Sequence, residues 1–314
     1  MRICDVLPTP GFAVNDTLSR RQLVMLTSFL LFVMVSASAS GSEPNSSELS
    51  SDASFSLPRV NAGASGFIDI TLPDELGVIW ETKTAEAIET TPVVDQGRVF
   101  VADVMGGVEA LELQSGKSLW RRDFDTGFVA SPTILSASSV THHPDRLVVL
   151  ETDKDDATPD GQRRTVDGNQ IDKWDRIIAS DRLLLGDVEG NVWSLDPATG
   201  QTQWQIAIEA EIDAAVAFFV LVADEQPQVQ LLVTSQDGNL RCLNAENGEL
   251  IWTYATGDQI RCGASIAQGK TFLGGCDGGL HIVDLTTGKA VGEPLPLGGP
   301  TGSTPATESG PVFV

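Results

Sequence analysis

Residues 103–120 read DVMGGVEALELQSGKSLW. The same 18-residue frame returns as DVEGNVWSLDPATGQTQW at 187–204, SQDGNLRCLNAENGELIW at 235–252 and GCDGGLHIVDLTTGKAVG at 275–292. Glycine holds the fourth position of every copy (Gly106, Gly190, Gly238, Gly278) and also the fourteenth (Gly116, Gly200, Gly248, Gly288). Trp120, Trp204 and Trp252 close the first three copies, and Gly292 stands at that place in the fourth. One G-x-G match would mean little, but four copies in register identify a repeat protein. A glycine at the fourth position permits the positive φ of a tight hairpin turn. Alternating apolar residues follow, such as Val108 and Ala110 or Leu240 and Cys242, then a second turn at Ser115-Gly116 and its equivalents. The tryptophan sits on the strand after that turn. Upstream, residues 91–101 read as another hairpin, echoed at 263–273 around Gln268-Gly269. Four short antiparallel strands in roughly 40 residues make a propeller blade. The sequence thus predicts an all-β propeller with four recognisable four-stranded blades plus a partial or shared blade. Strands are expected near 99–102, 108–111, 183–185, 192–195, 231–234 and 280–283, with no long helix between 90 and 300.

The frame resembles the tryptophan-docking motif, Ala-x-Asp-x-x-Thr-Gly-x-x-x-Trp, of the pyrrolo-quinoline-quinone-like β-propeller repeat family. Ala110, Glu112, Ser115, Gly116 and Trp120 carry it first, and Ser194, Asp196, Thr199, Gly200 and Trp204 carry it again. The third copy keeps Asn244, Asn247, Gly248 and Trp252; the fourth keeps Asp284, Thr287 and Gly288 but not the tryptophan. The resemblance covers roughly residues 75–314 and extends to the outer-membrane-assembly propellers. It implies that each indole stacks on a turn of the next blade. Trp80, Trp120, Trp204 and Trp252, with Gly116, Gly200, Gly248 and Gly288, would then join blades and bind no substrate. Quinone-dependent dehydrogenases of the same superfamily hold their cofactor over the propeller axis with calcium and a vicinal Cys-Cys disulfide. This sequence has no adjacent cysteines and no haem motif, so no cofactor is expected, PQQ with calcium included.

Outside the repeats, residues 1–39 read as a cleaved export signal: Arg20-Arg21, an apolar run at 23–35, and Ala37-Ser38-Ala39. A 13-residue helix rises only ~20 Å against a hydrocarbon core of ~30 Å, so a permanent span is the weaker reading. Membrane contact is expected only through an uncleaved signal. Ser19-Arg20-Arg21-Gln22-Leu23 also resembles a twin-arginine signal, and either export route leads to the periplasm or the exterior. No Cys lies near the cleavage site, which argues against a lipid anchor. Residues 40–62 read as a disordered Ser/acidic linker and 63–314 as the propeller. Trp80 to Trp120 is 40 residues, whereas Trp120 to Trp204 is 84. The excess, near 136–176, is either a polar insertion or a decayed blade. Ser131-Pro132-Thr133 matches a first strand and residues 182–187 a second, which favours insertion. The chain opens on a final strand at Trp80 and closes on opening strands at 304–314. A blade shared by both ends and an interrupted ring both fit that order.

Composition narrows the function. Twenty Lys+Arg against 43 Asp+Glu give a net charge of −23, which repels nucleic acid and disfavours anionic lipid. His142, His143 and His281 lack a nucleophile or metal-spaced partner in sequence, and no metalloprotease, phosphate-loop or serine-hydrolase motif occurs. Asp153, Asp155, Asp156 and Asp160 lack the alternating spacing of a calcium loop. Cys262 and Cys276 flank one hairpin, and a disulfide or two separate thiols both fit there. No catalytic or metal residue is assigned. The expected function is an exported, non-enzymatic scaffold with an extracytoplasmic protein partner. The alternative is a quinone-dependent dehydrogenase or a small-ligand-sensing propeller.

Overall fold

The computed structural model describes residues 30–36, 55, 57–59, 61–66, 76–137, 149–152, 180–223, 226–307 and 312–314. Two strands come first, β1 (Leu30–Ser36) and β2 (Leu76–Lys83), paired antiparallel. The first complete sheet follows as β3 (Val93–Asp95), β4 (Arg98–Ala102), β5 (Gly107–Glu112) and β6 (Ser118–Asp123), hydrogen-bonded in that order. Next come β7 (Thr133–Leu135), β8 (Val149–Thr152), β9 (Arg182–Gly186), β10 (Asn191–Leu195) and β11 (Thr202–Ala207). Of these, β7, β9, β10 and β11 form the second sheet. The third contains β12 (Ala217–Ala223), β13 (Gln226–Thr234), β14 (Asn239–Asn244) and β15 (Leu250–Ala255), and the fourth β16 (Ser265–Ala267), β17 (Lys270–Gly274), β18 (Gly279–Asp284) and β19 (Leu295–Pro296). A hairpin of β20 (Ala306–Thr307) and β21 (Val312–Phe313) ends the chain. No helical element occurs among the described residues. The all-β propeller and each expected strand are therefore present.

The core lies between sheets. Leu183, Leu184 and Leu185 are all fully buried because β9 is packed on both faces. Leu183 and Leu185 meet Phe100 and Ile134 on the first-blade side, while Leu184 meets Phe218 and Leu231 on the third-blade side. Phe219 faces the other way and joins Ile266, Leu273 and Val283. A strand covered on both faces reads as a continuous apolar run rather than an alternation. Turns lock the repeat as well. At the β4–β5 turn Gly106 has φ +102°, and an added Cβ would lie 2.2 Å from the Phe124 carbonyl oxygen. Its amide donates to Asp103 O, and its own carbonyl accepts from Phe124 N.

The insertion favoured by the spacing has a direct structural counterpart, whereas other expectations change. Residues 136–181 lie between β7 and β9, which pair directly, so the extra length interrupts one blade after its first strand. From within this stretch β8 crosses to the third sheet and pairs parallel with β12 (Val149 opposite Val220, Thr152 opposite Ala223). Residues 1–39 do not stand wholly apart from the fold. Part of the apolar run forms β1 along β2, a strand with no other described neighbour. Among the described residues β2 pairs with β1 and β20 with β21, so no sheet combines strands from the two chain ends.

The expected linker at 40–62 is also corrected at its distal end. Phe55 bridges Val94 on β3, and Leu57 and Ala62 are buried. The first strand β3 is the edge of its sheet, and apolar Phe55 and Leu57 in an otherwise polar stretch can cover such an edge. Residues 41–54 lie outside the described residues.

Candidate functional site

The tryptophans bridge consecutive sheets. Trp80 Nε1 donates to Leu113 O at 2.8 Å, Trp120 to Pro197 O at 2.9 Å, Trp204 to Ala245 O at 3.0 Å and Trp252 to Leu285 O at 3.1 Å. Each ring faces a glycine of the next unit, in the order Gly116, Gly200, Gly248 and Gly288. Only Trp80 is buried, at 9% exposure, while the other three are half-buried. They sit on outermost strands, where one side of the ring has no further blade to cover it. At the fourth unit, which has Gly292 in the tryptophan's place, the outer strand β19 shrinks to two exposed residues.

A second recurrent device clamps the turn between the second and third strands. In the second blade Asp187, fully buried, accepts from Asn191 N (2.7 Å), Glu189 N (3.0 Å) and Trp193 Nε1 (2.9 Å). In the first, Asp103 accepts from Gly107 N and from Arg121. In the third, Arg241 holds Asp237, which also accepts from Ser235 Oγ at 2.6 Å. In the fourth, His281 Nε2 lies 2.8 Å from Asp277 Oδ2, and its Nδ1 lies 2.9 Å from Tyr254 OH. The Tyr254–His281–Asp277 chain has the outline of an acid–base relay that no spacing motif around a single histidine reveals. Trp193, Arg241 and His281 occupy one repeat position, so the histidine is the local version of a turn clamp.

These clamps give the stability a pH dependence. Burial opposes ionisation of Asp237, but hydrogen bonds from Arg241, Ser235 and Asn239 outweigh it and hold the carboxyl below its usual range. At Asp277 burial is likewise overcome, here by the Gly279 and Gly257 amides and His281. A carboxyl depressed in the folded state stabilises above its unfolded pKa of ~3.9, and that contribution is lost as pH falls through the folded value. Melting temperature should therefore fall steeply below about pH 4, and Asp237→Asn with Asp277→Asn should flatten the decline. Circular dichroism melts from pH 5 downward, compared between wild type and variant, test this; parallel curves would exclude these two groups.

Of the two arrangements that fit Cys262 and Cys276, the structure has separate thiols. Cys262 is packed in the core between the third and fourth sheets, with its Sγ donating to Gly274 O at 3.2 Å. Burial pushes its thiol up to about 11. Cys276 is half-buried in the next turn, and no disulfide joins the two. Cys242 is buried beside Gln230. His142, His143 and Asp153–Asp160 lie outside the described residues. Among the described residues no group of three or more His, Cys, Asp or Glu is placed to hold a metal.

Two places depart from repetition, and both lie at the first strands. One is the axial mouth. Thr91, Ser131, Ala215, Gly263 and Thr304 stand two residues ahead of β3, β7, β12, β16 and β20, and all five line a cavity of about 290 Å³. Thr91 N donates to Ser131 Oγ at 2.8 Å and Gly263 N to Thr304 Oγ1 at 2.9 Å, linking neighbouring blades around the rim. Arg59, Arg261 and Asp213 supply its charges. Next to it the Glu211 carboxyl is raised, by burial first and then by the Asp213 charge. The other departure is the opposite end of the third blade. Its β12–β13 hairpin is seven and nine residues long where β3 and β4 have three and five, and β8 adds a strand to its side.

Comparison with known proteins agrees with this geometry. The family model described as outer membrane protein assembly factor BamB matches residues 74–226 and 181–313. Outer membrane protein assembly factor BamB of Shewanella oneidensis is 24% identical over 250 residues, covering 75% of this chain and 52% of that protein. The Nitrosomonas eutropha protein of the same name is 25% identical over 217 residues, covering 67% of this chain and 40% of its own. The chain thus spans about half the length, or less, of these curated relatives. The crystal structure of BamB from Moraxella catarrhalis aligns with a TM-score of 0.51 at 17% identity, over 75% of this chain and 57% of that one, a likeness of fold. Repeat frame, sheet order and family match coincide over the same residues, and the chain belongs to the PQQ-like repeat propeller family described as outer membrane protein assembly factor BamB.

Proposed function

We propose that this chain is an exported, non-enzymatic propeller scaffold that binds protein partners in the cell envelope. The observation that carries the reading is the built-out face of the third blade. A long β12–β13 hairpin and the added β8 extend a sheet beyond what neighbouring blades require for packing. Loops and extensions on a rigid ring are where such folds place their contacts. The repeat glycines and tryptophans are occupied by turns and joints, and among the described residues no group requires a catalytic explanation. The relatives' name, an assembly factor of the outer membrane, is consistent with work by contact. In this proposal residues 1–39 direct export to the periplasm or exterior, no PQQ, calcium or other cofactor is used, and nucleic acid is not a partner.

Deleting about residues 153–172, just beyond β8, should leave circular dichroism and the melting temperature unchanged while removing at least one protein from those co-purified out of an envelope fraction. Identical partner sets for intact and deleted forms would remove the insertion from the proposal. Quinone-dependent dye reduction by the intact protein would overturn the non-enzymatic reading.

A further inference from the structure

We infer that the axial mouth is a docking site for a turn-forming peptide segment held through its backbone, occupied in this structure by the chain's own residues 55, 57–59 and 61–65. The segment is anchored at both ends by main-chain hydrogen bonds. Phe55 N donates to Val94 O at 2.6 Å and Val94 N donates back to Phe55 O at 2.9 Å. Seven residues on, Ile266 N donates to Ala62 O and Thr307 N to Gly63 O, both at 2.7 Å. These three receiving sites lie on β3, β16 and β20, the first strands of the first, fourth and last sheets. The Val94, Ile266 and Thr307 amides thus find acceptors on a segment that belongs to no blade. Phe55 pairs with Val94 as an added strand pairs with a sheet edge, while Ala62 and Gly63 present single carbonyls from a turn.

Two side-chain positions add selectivity. Leu57 is buried in the core between the second and third sheets. Gly63 approaches so closely that an added Cβ would lie 2.5 Å from Thr307 O. The turn around Gly63 is held by Asn61, whose Oδ1 accepts from Ser65 N and whose Nδ2 donates to Ser65 Oγ. Beside the segment the cavity of about 290 Å³ stays open, with Arg59, Arg261 and Asp213 at its lining. The occupant is therefore a segment with a bulky aliphatic residue six places ahead of a glycine, read mainly through its backbone. In cis, the tether keeps the segment at high local concentration, so a competing peptide must displace it.

The test uses a fluorescent synthetic peptide spanning residues 52–66 and the full chain. In one variant residues 52–66 are replaced by a Gly/Ser sequence of equal length; in the other, Gly63→Val releases the segment by the clash at Thr307. Fluorescence anisotropy should show the peptide binding each variant about ten-fold or more tighter than wild type. A peptide carrying Leu57→Asp should bind neither. Equal binding to all three chains, or binding to none, would overturn the inference. Hydrogen exchange on the wild-type chain gives a measurement independent of variant folding. The amides of Val94, Ile266 and Thr307 should be protected, and exchange at the rate of open loops would equally overturn it.

Discussion

Trp204→Ala is expected to destabilise the protein by ~3–5 kcal/mol, the range for truncating a large aromatic packed into a core. The indole lies across from Ser194 on β10, packs against the core between the second and third sheets, and faces Gly248 of the next blade. It also donates to Ala245 O at 3.0 Å. Alanine removes the ring and leaves that carbonyl without its donor, a loss of ~1–3 kcal/mol if the group stays buried. Partial exposure of the ring does not cancel the effect, because the surface lost is the side turned to the neighbouring blade. Trp204→Phe separates the two contributions: it keeps an aromatic face on Gly248 and loses the N–H, so it should cost only about 1–2 kcal/mol. Urea midpoints at unchanged slope provide the measurement. A midpoint unaltered by Trp204→Ala would mean that the third blade is held by other contacts.

The parts of this fold that could be read from sequence are those that recur. Gly106, Gly190, Gly238 and Gly278 repeat because every blade makes the same turn, and Trp120, Trp204 and Trp252 repeat because every joint has the same shape. The turn clamp was legible in principle, yet its chemistry changes from blade to blade. Trp193, Arg241 and His281 share no residue type, and only their common place opposite an acidic turn residue connects them. The His281–Asp277 pair is legible only with the copies aligned as columns, since no histidine motif marks it.

The axial segment had no such signal. Phe55 and Leu57 are two apolar residues in a Ser-rich stretch, which by local composition cannot order itself. What orders them is a demand made elsewhere, by first-strand amides at Val94, Ile266 and Thr307 that belong to three different sheets. That demand exists only after the sheets are assembled. The same logic applies to β8, whose partner β12 lies more than sixty residues away in sequence and pairs parallel to it. It applies again to the apolar run at 30–36, which looks like an export signal and also fits the open edge of β2.

The joint can be tested from its other side at Gly288, where alanine is expected to cost ~2–5 kcal/mol. Gly288 has φ +65°, which costs an L-residue ~1–2 kcal/mol. An added Cβ would also lie 2.6 Å from Trp252 Cδ2 and 2.7 Å from Cε3, so the ring must move. Displacing a packed ring adds a strain of ~1–3 kcal/mol. The two parts have different partners, and a double-mutant cycle separates them. In a Trp252→Ala background the ring is gone, and Gly288→Ala should retain only the backbone cost of ~1–2 kcal/mol. The difference between the two backgrounds is the contact itself. Trp252 also donates to Leu285 O at 3.1 Å, a bond that Gly288→Ala can break by pushing the ring outward, so the coupling should exceed that of a simple steric pair. Gly292 serves as a control, because its φ is +80° and nothing lies within 4 Å of an added Cβ. Gly292→Ala should show the backbone penalty alone, with or without Trp252. If Gly288→Ala cost the same in both backgrounds, the indole would not rest on that turn in solution, and the fourth blade would have to be held by the core around Leu273 and Val283.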